Sequence, residues 1–171
     1  MIFQAIKKTL LNKKLDTLLS QSDGGKTIPM HKIRSVGILT TEEISSEIDL
    51  KQEIETILKV RNAKMFSLRK FSKIDEFSHK HFTEKDINWR GKFTHNSFQI
   101  FLEEPLDLLI GYFNTSDVFL ESAVLQSKAQ LKVGFTGANS KLYEIEILEK
   151  TANVTAFSSE LKRYLQIIKK L

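Results

Sequence analysis

The residues best equipped for chemistry lie between Arg69 and Phe93, where cations and aromatic rings alternate. Arg69, Lys70, Lys73, Lys80, Lys85, Arg90 and Lys92 are interleaved with Phe71, Phe77, Phe82, Trp89 and Phe93. Nucleic acids are held by this mixture, because cations meet phosphates while flat rings stack on bases. The same spacing suits phenylalanines that anchor a long connection to a core while the lysines stay wet. Trp89 beside Arg90 separates the two readings, since a Trp in a loop is either a core anchor or a contact residue.

His79, His81 and His95 fall in the same stretch, with Asp75, Glu76 and Asp86 near them. His79-Lys80-His81 has a spacing that a strand could aim at one metal ion. A metal site needs three or four ligands in fixed geometry. No third ligand is placed by spacing, so no metal and no cofactor are expected. Gly134-Phe135-Thr136-Gly137-Ala138-Asn139 follows a strand-like run. A phosphate-binding turn opens a helix, but this one leads towards a further strand at Leu142. It also lacks the full Gly-x-Gly-x-x-Gly and Walker patterns. A hairpin-like turn is the expectation there. The chain has no cysteine, which removes thiolate nucleophiles, disulfides and Cys-based zinc sites. No nucleophile-elbow sequence is present either.

A second basic cluster sits near the start of the chain: Lys7, Lys8, Lys13 and Lys14. The net charge is only +5, but it is unevenly spread. Residues 1–34, 61–95 and 161–171 carry +5, +5 and +4, while 35–60 and 96–160 carry −4 and −5. Such asymmetry marks either an anionic partner or a solvated surface of mixed sign.

The elements that must position these residues follow from periodicity. Residues 2–20 read as a helix with two apolar stripes: Ile2, Ile6 and Leu10 with Phe3 beside them, then Leu11, Leu15, Leu18 and Leu19. At about 100° per residue the stripes fall on different sides, with Lys7 and Lys14 between them. One continuous apolar face is not on offer, which argues against a membrane-surface helix. Packing on its own domain or docking on a protein partner fits better. Ser20 to Lys26 is rich in Gly and small polar residues and reads as a linker.

Further on, 33–40, 63–71, 106–113, 130–135 and 142–148 read as strands. Residues 49–60, 97–103, 117–129 and 154–170 read as helices. The run at 106–113 is apolar on both faces, as a central strand beneath helices must be. Residues 142–148 alternate, as an edge strand does. Residues 72–95 show no period. Strands alternating with helices specify an α/β fold: a Rossmann-like three-layer sandwich with a mostly parallel sheet of about five strands, plus an N-terminal helical arm. The expected division is 1–22 as basic helical arm, 23–32 as linker and 33–171 as a single α/β domain. The 171 residues are enough to bury a core without staples. No apolar run is long enough to span a bilayer, and the first eight residues reverse the order of a secretory signal. A cytoplasmic location is expected.

Two resemblances bear on this. Pro105 to Ile110 and Ser127 to Phe135 resemble a segment of the N-terminal Rossmann-like half of heptosyltransferase-type glycosyltransferases, over about 30 residues. That likeness implies a fold and no functional residues. The Lys-rich first helix, Val36 to Leu39, Phe82 to Trp89 and Asp107 to Phe135 are together similar to an uncharacterised family of small Bacteroidetes-type proteins, which implies no activity.

The reading that follows is a non-catalytic binding protein. Its partner would be an anionic macromolecule, RNA or a ribonucleoprotein, met by Lys7, Lys8, Lys13, Lys14, Arg69, Lys70, Lys73, Trp89, Arg90 and Lys92. The alternatives are a small nucleotide- or nucleotide-sugar-binding domain using the strand ends near Thr40, Asn114 and Gly134, and an interaction module docking through its first helix.

Overall fold

The computed structural model describes residues 1–21, 28, 31–73 and 78–171. Most of the Ser20 to Lys26 linker, and Asp75, Glu76 and Phe77, lie outside them. Six strands form one sheet in the order β3-β2-β1-β4-β5-β6, and every neighbouring pair is parallel. They are β1 (Val36–Thr41), β2 (Lys64–Leu68), β3 (His81–Phe82), β4 (Leu108–Tyr112), β5 (Leu131–Phe135) and β6 (Ile145–Ile147). The helices are α1 (Ile2–Gln21), α2 (Glu42–Glu47), α3 (Leu50–Leu58), α4 (Asn96–Glu103), α5 (Val118–Gln126) and α6 (Val154–Ile167).

The architecture is the expected three-layer α/β sandwich, with six strands rather than five. The additional one, β3, has two residues, too few to show any period in sequence. The central position of β4 follows from its doubly apolar sequence. Leu108, Ile110 and Tyr112 enter a cluster with α3 and α6, while Leu109 and Phe113 enter another with α4 and α5. Each such buried side chain contributes about 1.5–3 kcal/mol relative to exposure.

α1 runs unbroken, and only one of its stripes is used by the domain. Leu11, Leu15 and Leu19 are buried in the α4–α5 cluster. α5 thus has the sheet on one side and α1 on another, and every residue from Val118 to Val124 is buried. A helix enclosed on both sides must be apolar all round. Ser122 and Glu121 are the polar exceptions, and Glu121 is the ionisable one. Its carboxyl accepts a hydrogen bond from Ser116 Oγ at 3.0 Å, and burial pushes its pKa up despite that bond.

The turn at Gly134 to Asn139 is not a hairpin, because β6 runs parallel to β5. The chain climbs back through a 3₁₀ turn at Ser140–Leu142, so that Tyr143 lies over the sheet. A Cβ on Gly134 would stand 2.3 Å from Tyr143 Cζ, and one on Gly111 would stand 2.3 Å from its hydroxyl oxygen. Glycine at these two strand positions makes room for the ring. Packing of Leu142 and Tyr143 against the core lets a connection shorter than the usual crossover join parallel strands.

At the amino ends of β1 and β4, buried Asp107 closes the sheet. Its carboxylate accepts from the backbone N–H groups of Arg34 and Ser35 at 2.8 and 2.9 Å, and His31 Nε2 lies 2.6 Å away. The Asp107 N–H donates to Ser35 Oγ at 2.9 Å. Burial pushes this carboxyl up, but the bonds from Ser35, Arg34 and His31 outweigh it and hold the pKa below the usual carboxylate value. No helix among the described residues is long and apolar enough to cross a membrane.

Candidate functional site

The chain leaves β1 for α2 and α3, which lie with one core cluster, and leaves β4 for α5, which lies with the other. In open α/β sheets the crevice outside the carboxyl ends of strands, where the chain departs to opposite faces, is the usual place for a ligand. A cleft of about 540 Å³ lies here. Its floor comes from the ends of β1 and β2: Thr41, Glu42 and Glu43, then Leu68, Arg69 and Lys70. Glu84 and Lys85, just after β3, form one wall, and Asp117 and Phe119 at the start of α5 form another. Gln4, Lys7 and Lys8 of α1 complete the lining.

Five cations and four carboxylates therefore line one cleft. Several of the acids are committed to the fold. Asp117 accepts from the N–H groups of Phe119 and Leu120 at 2.9 and 3.1 Å, capping α5. Glu84 accepts from the Phe71 N–H at 3.1 Å. Glu42 and Glu43 sit in the first turn of α2, where the helix dipole favours negative charge. Thr41 Oγ1 accepts from the Ile44 N–H at 3.3 Å as the α2 cap. Both helix starts are thus capped from within the chain, so a ligand's negative charge would fall to side-chain cations.

Those cations are held to different degrees. Lys7 Nζ donates to the Glu84 carbonyl at 2.8 Å. Burial lowers its pKa, and the nearby Glu84 and Asp86 charges oppose that shift. Lys8 Nζ stands 5.6 Å from the centre of the Phe119 ring, and Lys85 Nζ 3.5 Å from that of Phe71. These are cation–π contacts that position an ammonium without neutralising it. Lys70 is exposed.

The residues after β3 are positioned by short polar turns. Asp86 Oδ2 accepts from the backbone N–H and hydroxyl of Thr83 at 2.7 and 2.9 Å. Asn88 Oδ1 accepts from the N–H groups of Arg90 and Lys92 at 2.9 and 3.0 Å. The Asn88 bond to Arg90 is an Asx turn, and the Asp86 and Asn88 side chains both supply local structure without periodicity. Phe82, Ile87 and Phe93 are buried beneath them. Gly91 has φ +74°, and a Cβ there would meet Lys14 and Leu11 of α1. Lys14 Nζ donates to the Arg90 carbonyl, and Gln126 Nε2 of α5 to that of Gly91 at 2.7 Å.

The fold thus brings two sequence-distant basic blocks together. Lys7, Lys8, Arg69 and Lys70 meet in the cleft. Lys14 and Arg90 meet farther along α1, with exposed Trp89 and Lys92 in the same turn. Lys13 and Lys73 are exposed and outside the cleft lining. Phe82 and Phe93 are core anchors, whereas Trp89 is 53 % exposed. Sequence reasoning passed over Glu42, Glu43, Asp117 and Phe119, whose only signal is their place just after a strand.

Of the strand ends named from sequence, Thr40 is buried and donates to the Tyr112 carbonyl at 2.9 Å. Gly134 lies under Tyr143. The cleft therefore opens on the β1–β2 side. His95 caps α4, its Nδ1 accepting from the Phe98 N–H at 3.2 Å. His79 Nδ1 lies 3.2 Å from Ser97 Oγ, and His81 Nδ1 lies 2.7 Å from Ser78 Oγ. Among the described residues, no three metal-ligating side chains gather.

Residues 7–168 match the family of unknown function DUF6913, and the chain belongs to it. No curated protein and no solved structure matches the chain.

Proposed function

We propose that this member of DUF6913 is a binding domain for a phosphorylated small molecule of nucleotide size, held in the cleft beneath α1. The observation that carries this reading is the convergence of Lys7, Lys8, Arg69, Lys70 and Lys85, from three separate segments, on one cleft at the carboxyl ends of β1 and β2. A volume of about 540 Å³ lies within the ~300–1,000 Å³ range of small-ligand sites. Lys8, Lys70 and Lys85 would meet the phosphates, and Phe119 and Leu68 give the ligand an apolar surface.

The test is a thermal-shift screen of the full chain against nucleoside mono-, di- and triphosphates and nucleotide sugars. A saturable rise in melting temperature is expected, and Lys8→Glu with Lys70→Glu should abolish it. Unchanged melting with every ligand at millimolar concentration would refute the reading.

A second reading has its own observation. Trp89 is exposed between cations on the turn that α1 holds, which suits stacking against a base of single-stranded RNA. Here binding would weaken steeply with salt, and Trp89→Ala would reduce it while leaving the thermal shift by nucleotides intact. Filter binding at low salt separates the two.

A further inference from the structure

The two stripes of α1 have different fates. Leu11, Leu15 and Leu19 are consumed by the domain. Ile2 and Phe3 are each 76 % exposed, and Ile6 and Leu10 are 47 and 48 % exposed. At about 100° per residue, Ile2, Ile6, Leu10 and Phe3 share a sector of roughly 100° opposite the buried leucines. An outward apolar stripe of large side chains on a helix already anchored by its other face marks a contact surface.

Charge indicates what it contacts. α1 carries four lysines against one aspartate. Lys13 lies within the outward sector and Lys14 at its border, while Lys7 and Lys8 turn to the cleft. The neighbouring turn adds Arg90 and Lys92, both exposed. An apolar stripe bordered by cations is what an interfacial helix presents to anionic lipid: the stripe enters the acyl boundary while lysines stay among headgroups. The two stripes oppose one another along the helix, which hides this property in the sequence. It emerges only once the domain has covered one of them.

We propose that α1 docks the protein, through Ile2, Phe3, Ile6 and Leu10, on an anionic membrane surface. The inference is independent of what the cleft holds. The test is sedimentation of the full chain with vesicles of phosphatidylglycerol and phosphatidylcholine in equal parts, and with phosphatidylcholine alone. Protein is expected to pellet with the anionic vesicles, to stay in solution with the neutral ones, and to be released by salt. Phe3→Ser with Ile6→Ser should weaken binding about tenfold or more without moving the melting temperature, because neither side chain is buried. Lys13→Glu, which leaves the stripe intact, should weaken binding by a smaller factor. Wild-type protein left in solution with anionic vesicles would overturn the proposal, and so would an unaffected double variant. So, too, would a dimer of the free protein that the double variant turns into monomer, since a second copy would then cover the stripe.

Discussion

The two ends of the sheet are built on opposite plans. At the amino end, one buried carboxylate, Asp107, is surrounded by donors that satisfy it. At the carboxyl end, cations and carboxylates from five segments face a cleft. The first arrangement closes the structure. The second leaves charge facing solvent, at a cost the fold can bear because the core beneath it is complete. On the proposed function, stability and recognition fall to opposite ends of the strands, and each should be open to disturbance without the other.

The largest effect should come from the closed end. Asp107→Ala leaves two backbone N–H groups without their acceptor, and about 3 kcal/mol of stability should be lost in chemical denaturation. Nucleotide affinity of the folded fraction should not change. If affinity falls in step with stability, the two ends are not separable.

Next is the sheet beneath Tyr143. Gly134→Ala should cost about 2 kcal/mol, because a Cβ collides with a ring that the core holds in place. Combining it with Tyr143→Ala should cost less than the sum of the two single changes. Additive losses would show that the ring is not what requires glycine.

A smaller effect is expected from pH. Asp107 has a folded-state pKa below its ordinary value. Its contribution is therefore fully present above the unfolded carboxylate pKa of about 3.9 and is lost as pH falls through the folded value. The Asp107→Asn variant should show a flatter fall in stability through that acid range than the wild type. Parallel curves would mean that other carboxylates dominate acid unfolding.

The smallest effect on stability belongs to the open end. Lys70→Glu should change unfolding by no more than about 0.5 kcal/mol, while removing the nucleotide-dependent thermal shift. A large destabilisation there would erase the contrast between the ends.

The central strand was readable because Leu108 to Tyr112 must be apolar on both faces, and few other structures demand that. The split of α1 was equally readable, because a helix in contact with two environments cannot align its leucines. β3 was not, since His81 and Phe82 are a strand only by virtue of Ser67 and Leu68 beside them. The parallel return into β6 was missed because its short connection resembles a hairpin loop, and only the packing of Leu142 and Tyr143 redirects it. The cleft was half legible. Its lysines stood out as charge runs, but Glu84 is drawn in by a bond from the distant Phe71 N–H, and Asp117, a local cap of α5, reaches the cleft only through the place of that helix.

The placement of α1 has a consequence in time. Leu11, Leu15 and Leu19 are made well before their partners on α5, which begin with Val118. At ~5–20 residues per second, these leucines wait roughly 5–20 s on a growing chain before α5 exists to receive them. α1 therefore precedes α5 in synthesis and docks on it only once α5 has been made. During that interval both of its stripes are open to whatever the nascent chain meets.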